Sequence, residues 1–308
     1  MNFPVADGHC DYLYGAVQYG YDLKKPKRDQ SIALAPLLSG HVGLQFFACW
    51  TDMALKTPPL HQCVAMIDAY ERMLASHPEL VPLTKDYTPE SGKIATVLTV
   101  EGGEAIDGSL AVLRTLYRLG VRAMTLTWND SNELSGAAMS HTLRGLTALG
   151  REVVDEMCRL GVAVDVSHLS DAGIDDVLSR ATRPVFASHS NARSVFDSPR
   201  ALSDAHIRAI ADMGGTVGVN FYYGQLTARR KAGIDDIVRH MVHVAEVGGV
   251  DCCAIGSYFD GMQQYPIGLR NSGDFPALLS ALSEAGFTDA EIYKIAYQNL
   301  HDYILRFI

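Results

Sequence analysis

The sequence predicts an α/β protein, and within that class a (β/α)8 TIM barrel. Three observations carry this. Eight short β-rich runs alternate with amphipathic helical runs along the chain. Most of the β-rich runs are apolar nearly throughout, as parallel strands covered by helices are. The length, 308 residues, suits one α/β barrel. A doubly wound open sheet is the alternative, weakened because no Gly-x-Gly-x-x-Gly follows the first run.

The expected strands are residues 5–10, 42–48, 94–100, 122–127, 163–167, 185–188, 216–221 and 253–257. Helical spacing fills the intervals. "PLHQCVAMIDAYERMLASH" follows a Pro-Pro pair, and "DGSLAVLRTLYRLG" and "LTALGREVVDEMCRLG" stop on Gly120 and Gly161. Ser170 and Ser203 are the expected N-caps of the next two helices. "IDDIVRHMVHVAEVGG", "DFPALLSALSEAGF" and "DAEIYKIAYQNLHDYILRF" complete the series. No Pro/Gly/Ser-rich linker interrupts them, so residues 1–308 read as a single barrel domain with a C-terminal helical extension.

Composition narrows the function. The formal charge is −9 and no Lys/Arg-rich block is present, which argues against nucleic acid and anionic membranes as partners. The six cysteines form no Cys-x-x-Cys pair and read as buried free thiols. The N-terminal "MNFPVADGHCD" lacks a signal-peptide pattern, and no apolar run is long enough to cross a bilayer. The expectation is a soluble, cytoplasmic protein.

The C-terminal strand ends of a barrel build its site. Here they carry His9 and Asp11, Glu101, His168 and His189. His9 and Asp11 lie two apart on an extended segment and so point the same way. Any one of these histidines alone reads as a structural residue. Three imidazoles and two carboxylates on one barrel face instead suit Zn²⁺ or a similar divalent ion. Five ligands exceed the need of one open zinc and suit two metals, with Glu101 as the natural bridge. His41, His61, His77, His141, His206, His240, His243 and His301 fall in helices or loops and read as surface or packing residues.

The motifs "DGHCD", "VEGGEAI", "LTWNDSNELSGAA", "GLTALGREVVDEMCRLGVAVDVSHLS", "PVFASHSNAR", "GGTVGVNFY" and "AIGSYFDG" together resemble the membrane dipeptidase (renal dipeptidase) family of zinc peptidases, within the amidohydrolase-type metal barrels. They cover nearly the whole chain in the family's order. The resemblance implies a metal-dependent hydrolase barrel and a binuclear zinc centre. It implies hydrolysis of dipeptides, with a D-residue tolerated at the C-terminal position, by a bridging hydroxide. It also implies a homodimer. It assigns His9, Asp11 and Glu101 to one metal, and Glu101, His168 and His189 to the other. Arg193 matches the arginine that binds the substrate carboxylate, and Tyr222 a tyrosine that contacts the substrate.

Two positions depart from the family. Its Asp-Phe-Asp-Gly reads Tyr258-Phe259-Asp260-Gly261 here, so a phenol stands where an aspartate shuttles a proton to the leaving amine. Asp260 belongs to the motif in its own right and is the other candidate acid/base. Trp128 stands where some members carry a histidine that steadies the oxyanion, which leaves Asn129 or Asn132 as replacement donors. Three readings stand: a slow dipeptidase or one with another acid/base, a hydrolase of a different small amide or ester, or a metal-binding pseudoenzyme.

Overall fold

The computed structural model describes residues 3–89 and 92–308. Eight strands form one parallel, curled sheet: β1 (Val5–Asp7), β2 (Val42–Trp50), β3 (Leu80–Pro82), β4 (Ile94–Glu101), β5 (Val121–Thr125), β6 (Ala163–Asp165), β7 (Val217–Asn220) and β8 (Cys253–Gly256). The spatial order is β6-β5-β4-β2-β1-β8-β7, with β3 paired beside the start of β4. The order follows the sequence in one direction, joined through the β1–β8 pair. No reversal of the kind that marks a doubly wound sheet occurs along it.

One expected strand is corrected. Residues 185–188 form no strand; they make single parallel bridges, Asp165↔Phe186 to one side and Ala187↔Val217 to the other. Two glycines explain the compactness there. A Cβ on Gly256 or Gly218 would stand 1.9 or 2.2 Å from the Ser188 carbonyl oxygen. Gly256→Ala is therefore expected to lower stability by about 3 kcal/mol, checked by the denaturant midpoint.

Helices lie between the strands. The long ones follow the periodicity: α3 (Pro59–Ser76), α4 (Leu110–Arg118), α5 (Ala148–Leu160), α6 (Asp171–Arg180), α7 (Asp204–Asp212), α8 (Ile234–Gly248) and α9 (Phe275–Glu284). Ser170 and Ser203 cap α6 and α7 by accepting from Gly173 N and His206 N. Short helices α1 (Tyr12–Gln18) and α2 (Leu34–Ser39), and strand β3, carry too few residues for a periodic signal and were not expected. The last expected helix is interrupted: a π-turn at Lys294–Gln298 separates α10 (Asp289–Tyr293) from α11 (Asn299–Ile304).

Alternation along the strands divides the core in two. Leu44 and Phe46 join Ala6, Ala95, Ala123, Ala163 and Ala254 in one cluster, and Leu300, Tyr303, Ile304 and Phe307 from the C-terminal helices pack into it. Phe47 and Cys49 face the other way, into the larger cluster between sheet and helices. All six cysteines are free and buried. Among the described residues no helix is long and apolar enough to cross a membrane.

Candidate metal centre and substrate cavities

The strand ends are stitched together by two buried carboxylates. Asp7 accepts from Ser257 N (2.8 Å), Ser257 Oγ (2.6 Å) and Gln45 Nε2 (3.0 Å), which ties the end of β1 to the end of β8 and to the interior of β2. Asp165 does the same on the other side, accepting from Thr125 Oγ1 (2.8 Å), Ser167 N (2.9 Å) and Ser188 N (3.0 Å). Ser188 Oγ also donates to Asp165 and lies 2.7 Å from His189 Nδ1, which orients that ring. Sequence reasoning did not select Asp7 or Asp165 as site residues. The available signal was an aspartate two residues before His9 and another three before His168.

On this scaffold the five expected ligands meet. His9, Asp11, Glu101, His168 and His189 are all at most 4% exposed. Glu101 lies at the centre. Its Oε2 is 3.5 Å from His9 Nε2, and His9 Nε2 is 3.6 Å from Asp11 Oδ2. Its Oε1 is 3.0 Å from His168 Nε2 and 3.4 Å from His189 Nε2. Each carboxylate oxygen thus faces its own group of donors. The Nε2 atoms of His168 and His189 also face each other at 2.9 Å.

Four polar atoms of this cluster lack partners. His9 Nε2, Asp11 Oδ1 and both Glu101 oxygens are buried without a hydrogen bond. Orphaned buried polar atoms are costly, so the arrangement calls for a ligand. Three hard or borderline donors, His9, Glu101 and His189, place ligand atoms within 4.8 Å of one another. The donor set fits divalent ions of the zinc type.

Electrostatics support this. Burial pushes the Glu101 carboxyl up, but the charge of His9 and the contacts of His168 and His189 outweigh it and hold Glu101 well below the carboxylate range. Burial, with the charge of Arg200, lowers His168 to about 4. Burial and the charge of His9 hold His189 well below the ordinary imidazole value. An ionised Glu101 beside neutral His168 and His189 is the protonation state metal ligation needs. At His9 burial lowers the imidazole, but the charges of Glu101 and Asp11 outweigh it and hold the ring well above its ordinary value, so an incoming cation would displace its proton.

Two cavities open onto the cluster and share Tyr258, Gly261, Met262 and Gln263 in their walls. The first, of about 510 Å³, is lined by Asp11, Trp50, Asp52, Trp128 and Tyr258 among others. The second, of about 240 Å³, is lined by His168, His189, Arg200, Asn220, Tyr222 and Tyr258 among others. The Tyr258 ring stacks on His189 with centroids 5.2 Å apart and planes at 6°. Burial, with Asp11 and Glu101 nearby, pushes its phenol well above the ordinary value. Its φ is +62°, an uncommon conformation for a bulky residue.

Other expectations are redistributed. Tyr222 lines the smaller cavity and Trp128 the larger, as a substrate contact would. Asn129 also reaches the smaller cavity, but its Oδ1 lies 3.0 Å from His168 Nδ1, so it fixes that imidazole. Asn132 is used in its own turn, accepting from Leu134 N and Ser135 N. Asp260 lines the larger cavity, but its carboxylate is taken up by backbone amides. It accepts from Ser31 N (2.5 Å) and Ile32 N (3.2 Å), holding the loop after α1, and burial raises its carboxyl to about 7 against those bonds.

Arg193 is corrected. It donates to both carboxylate oxygens of Asp171, at 2.7 and 2.6 Å, and to Ala201 O, and it lines neither cavity over the cluster. Arg200, seven residues later, lines the smaller cavity instead. Arg200 is 4% exposed, and among the described residues its guanidinium donates only to His189 O (3.1 Å) and Ser190 Oγ (3.5 Å), with Nε unpartnered. Among the described residues it has no carboxylate within ion-pair distance. A buried cation without a counter-ion, facing an open cavity, is built for an anion. The misreading arose because both arginines follow His189 in one loop, and the sequence does not say which one turns inward.

The sequence as a whole matches the membrane dipeptidase family, peptidase family M19, over residues 1–304. The chain belongs to that family. The mouse protein Dipeptidase 3 is 33% identical over 313 aligned residues, covering 97% of this chain and 63% of that protein. The human Dipeptidase 3 is 32% identical, with 97% and 64% covered. The chain thus spans under two thirds of the length of these relatives. Among solved structures, a metallopeptidase from Rhodobacter sphaeroides bound to a phosphinate mimic of L-Ala-D-Ala superposes with a TM-score of 0.91 and 25% identity, covering both chains completely. A dipeptidase of family M19 gives 0.90, also at 25% identity, covering 100% of this chain and 99% of its own.

Proposed function

We propose that this member of the dipeptidase family is a binuclear zinc dipeptidase, and that Tyr258 sets its rate. The observation that carries this is the five-ligand cluster with orphaned donors, placed beside a buried arginine that has no counter-ion. Family membership and the dipeptide mimic bound by the Rhodobacter relative support it.

In this reading residues 1–308 form one domain, and the two bridges at 185–188 complete a (β/α)8 barrel whose bottom the C-terminal helices close. His9, Asp11 and Glu101 hold one ion; Glu101, His168 and His189 hold the other. Two zinc ions there would supply a water ionised near neutral pH and a Lewis acid for the peptide carbonyl. Arg200 takes the substrate's C-terminal carboxylate, and Tyr222 covers that residue in the smaller cavity. That cavity faces the C-terminal residue, the position where the D-configuration is accepted. Tyr258 donates a hydrogen bond over the cluster and walls both cavities. A phenol raised by burial is a poor base, so protonation of the leaving amine is slow. The homodimer implied by the family belongs to the same proposal, tested by light scattering.

The test is hydrolysis of L-Ala-L-Ala and L-Ala-D-Ala by protein assayed for metal, with Arg200→Lys and Arg193→Ala alongside. Arg200→Lys is expected to lower kcat/KM at least about 10²-fold, mostly through KM, because a bidentate buried partner is lost. Arg193→Ala should stay within about twofold. Two metals per chain with cleavage that depends on Arg200 support the reading. A second reading, dipeptide binding without turnover, rests on Tyr258. It is selected if both metals and peptide bind and no product forms.

A further inference from the structure

The larger cavity has a composition that dipeptide hydrolysis as such does not require. Seven of its fifteen lining residues are aromatic and four are aspartates, against one cation, Arg270. Two of the aspartates are already engaged, Asp11 with the ligand cluster and Asp260 with the amides of Ser31 and Ile32. Of the other two, Asp29 is exposed and Asp52 is held by neutral donors of its own wall and loop.

Asp52 is held rigidly. Its Oδ2 accepts from Tyr14 Oη at 2.8 Å and its Oδ1 from Ala54 N at 2.9 Å. The Tyr14 ring packs edge-on against Trp50 at 4.7 Å, and Trp50 packs against Trp128 at 4.9 Å. The wall is a fixed carboxylate set among π-faces. That is the combination that holds an ammonium or guanidinium, by charge and by the ring quadrupole together. The structure contains an example at the same wall. The Arg270 guanidinium lies 4.8 Å over the ring of Tyr265, another lining residue.

Orientation decides what enters. With the carboxylate end of a dipeptide on Arg200 in the smaller cavity, the N-terminal residue reaches past the cluster into the larger cavity, which shares the Tyr258 wall. There its side chain meets Asp52, Trp50 and Tyr14. We propose that this chamber is the pocket for the substrate's N-terminal side chain and that it selects a cationic one, arginine or lysine. The proposal rests on the dipeptidase reading for its orientation. An acidic side chain would face Asp29 and Asp52 with only Arg270 as counter-charge, and a short apolar one would leave the carboxylates unused.

The experiment compares L-Arg-D-Ala, L-Lys-D-Ala, L-Ala-D-Ala and L-Glu-D-Ala on the metal-loaded protein, with Asp52→Asn and Asp29→Asn. Asparagine keeps an acceptor for Tyr14, and Asp29 is exposed on a loop, so both variants are expected to fold. The wild-type protein should prefer Arg and Lys over Ala by about tenfold or more in kcat/KM, with Glu poorest. The preference should shrink several-fold in each variant and with added salt. Turnover without this order, or an order the two variants leave unchanged, overturns the chamber and leaves the dipeptidase reading standing. If no peptide is cleaved, the dipeptidase reading fails, and calorimetric titration of the same peptides then decides. Arg binding tighter than Ala, and weakened by Asp52→Asn, supports the chamber; equal affinities overturn it.

Discussion

Tyr258→Asp is expected to raise dipeptide turnover by about 10²-fold, the size of effect a well-placed proton carrier provides. Three features of the position point the same way. The phenol is buried beside Asp11 and Glu101, which pushes its ionisation well above the ordinary value, so it does not accept a proton near neutral pH. The same surroundings would raise a carboxyl there as well, but from a far lower starting value, toward the range where it both takes a proton and passes it to the leaving amine. The ring, stacked on His189, divides the space over the cluster, and a shorter side chain joins the two cavities. The backbone at φ +62° also accommodates aspartate more readily than a bulky aromatic residue. The variant should therefore fold at least as well as the wild-type protein, and thermal denaturation checks this. The decisive measurement is kcat at matched metal content. A rise shows that Tyr258 limits peptide cleavage. An unchanged or lower kcat shows that the phenol serves the reaction as it stands, or that another group carries the proton.

The fold and the candidate ligands were legible for different reasons. Parallel strands covered on both faces are apolar nearly throughout, so 42–48 and 94–100 stood out, and serine caps marked α6 and α7. The ligands were legible because a strand end is the one place in such a chain where His and Glu interrupt apolar residues. Three things were hidden. The 185–188 segment has strand composition, but its backbone bonds serve both neighbours through single bridges rather than a ladder. Arg193 and Arg200 differ only in which way the loop after His189 turns, a tertiary fact. Asp260 sits two residues from Tyr258 and looks catalytic by spacing, yet positive φ at both positions breaks the extended geometry that would align their side chains. Its carboxylate turns instead to Ser31 and Ile32, more than two hundred residues earlier in the chain.

Glu101→Gln should abolish the centre while leaving the fold intact. The amide has the volume of the carboxylate, so packing at the end of β4 is preserved. What it loses is the negative charge that two oxygens offer to two separate donor groups, His9 with Asp11 on one side and His168 with His189 on the other. An amide cannot bridge two dications in that way. Bound metal should fall from two per chain to one or none, and kcat should drop at least about 10³-fold. A second readout separates loss of metal from loss of fold. Ions that bind only the folded chain stabilise it by mass action, by about 4 kcal/mol when present at a thousand times their dissociation constant. Chelation should therefore lower the melting temperature of the wild-type protein and leave that of Glu101→Gln nearly unmoved. If Glu101→Gln keeps two metals and its chelator sensitivity, Glu101 is not the bridge. The five residues would then hold their ions through His9, Asp11, His168 and His189 instead.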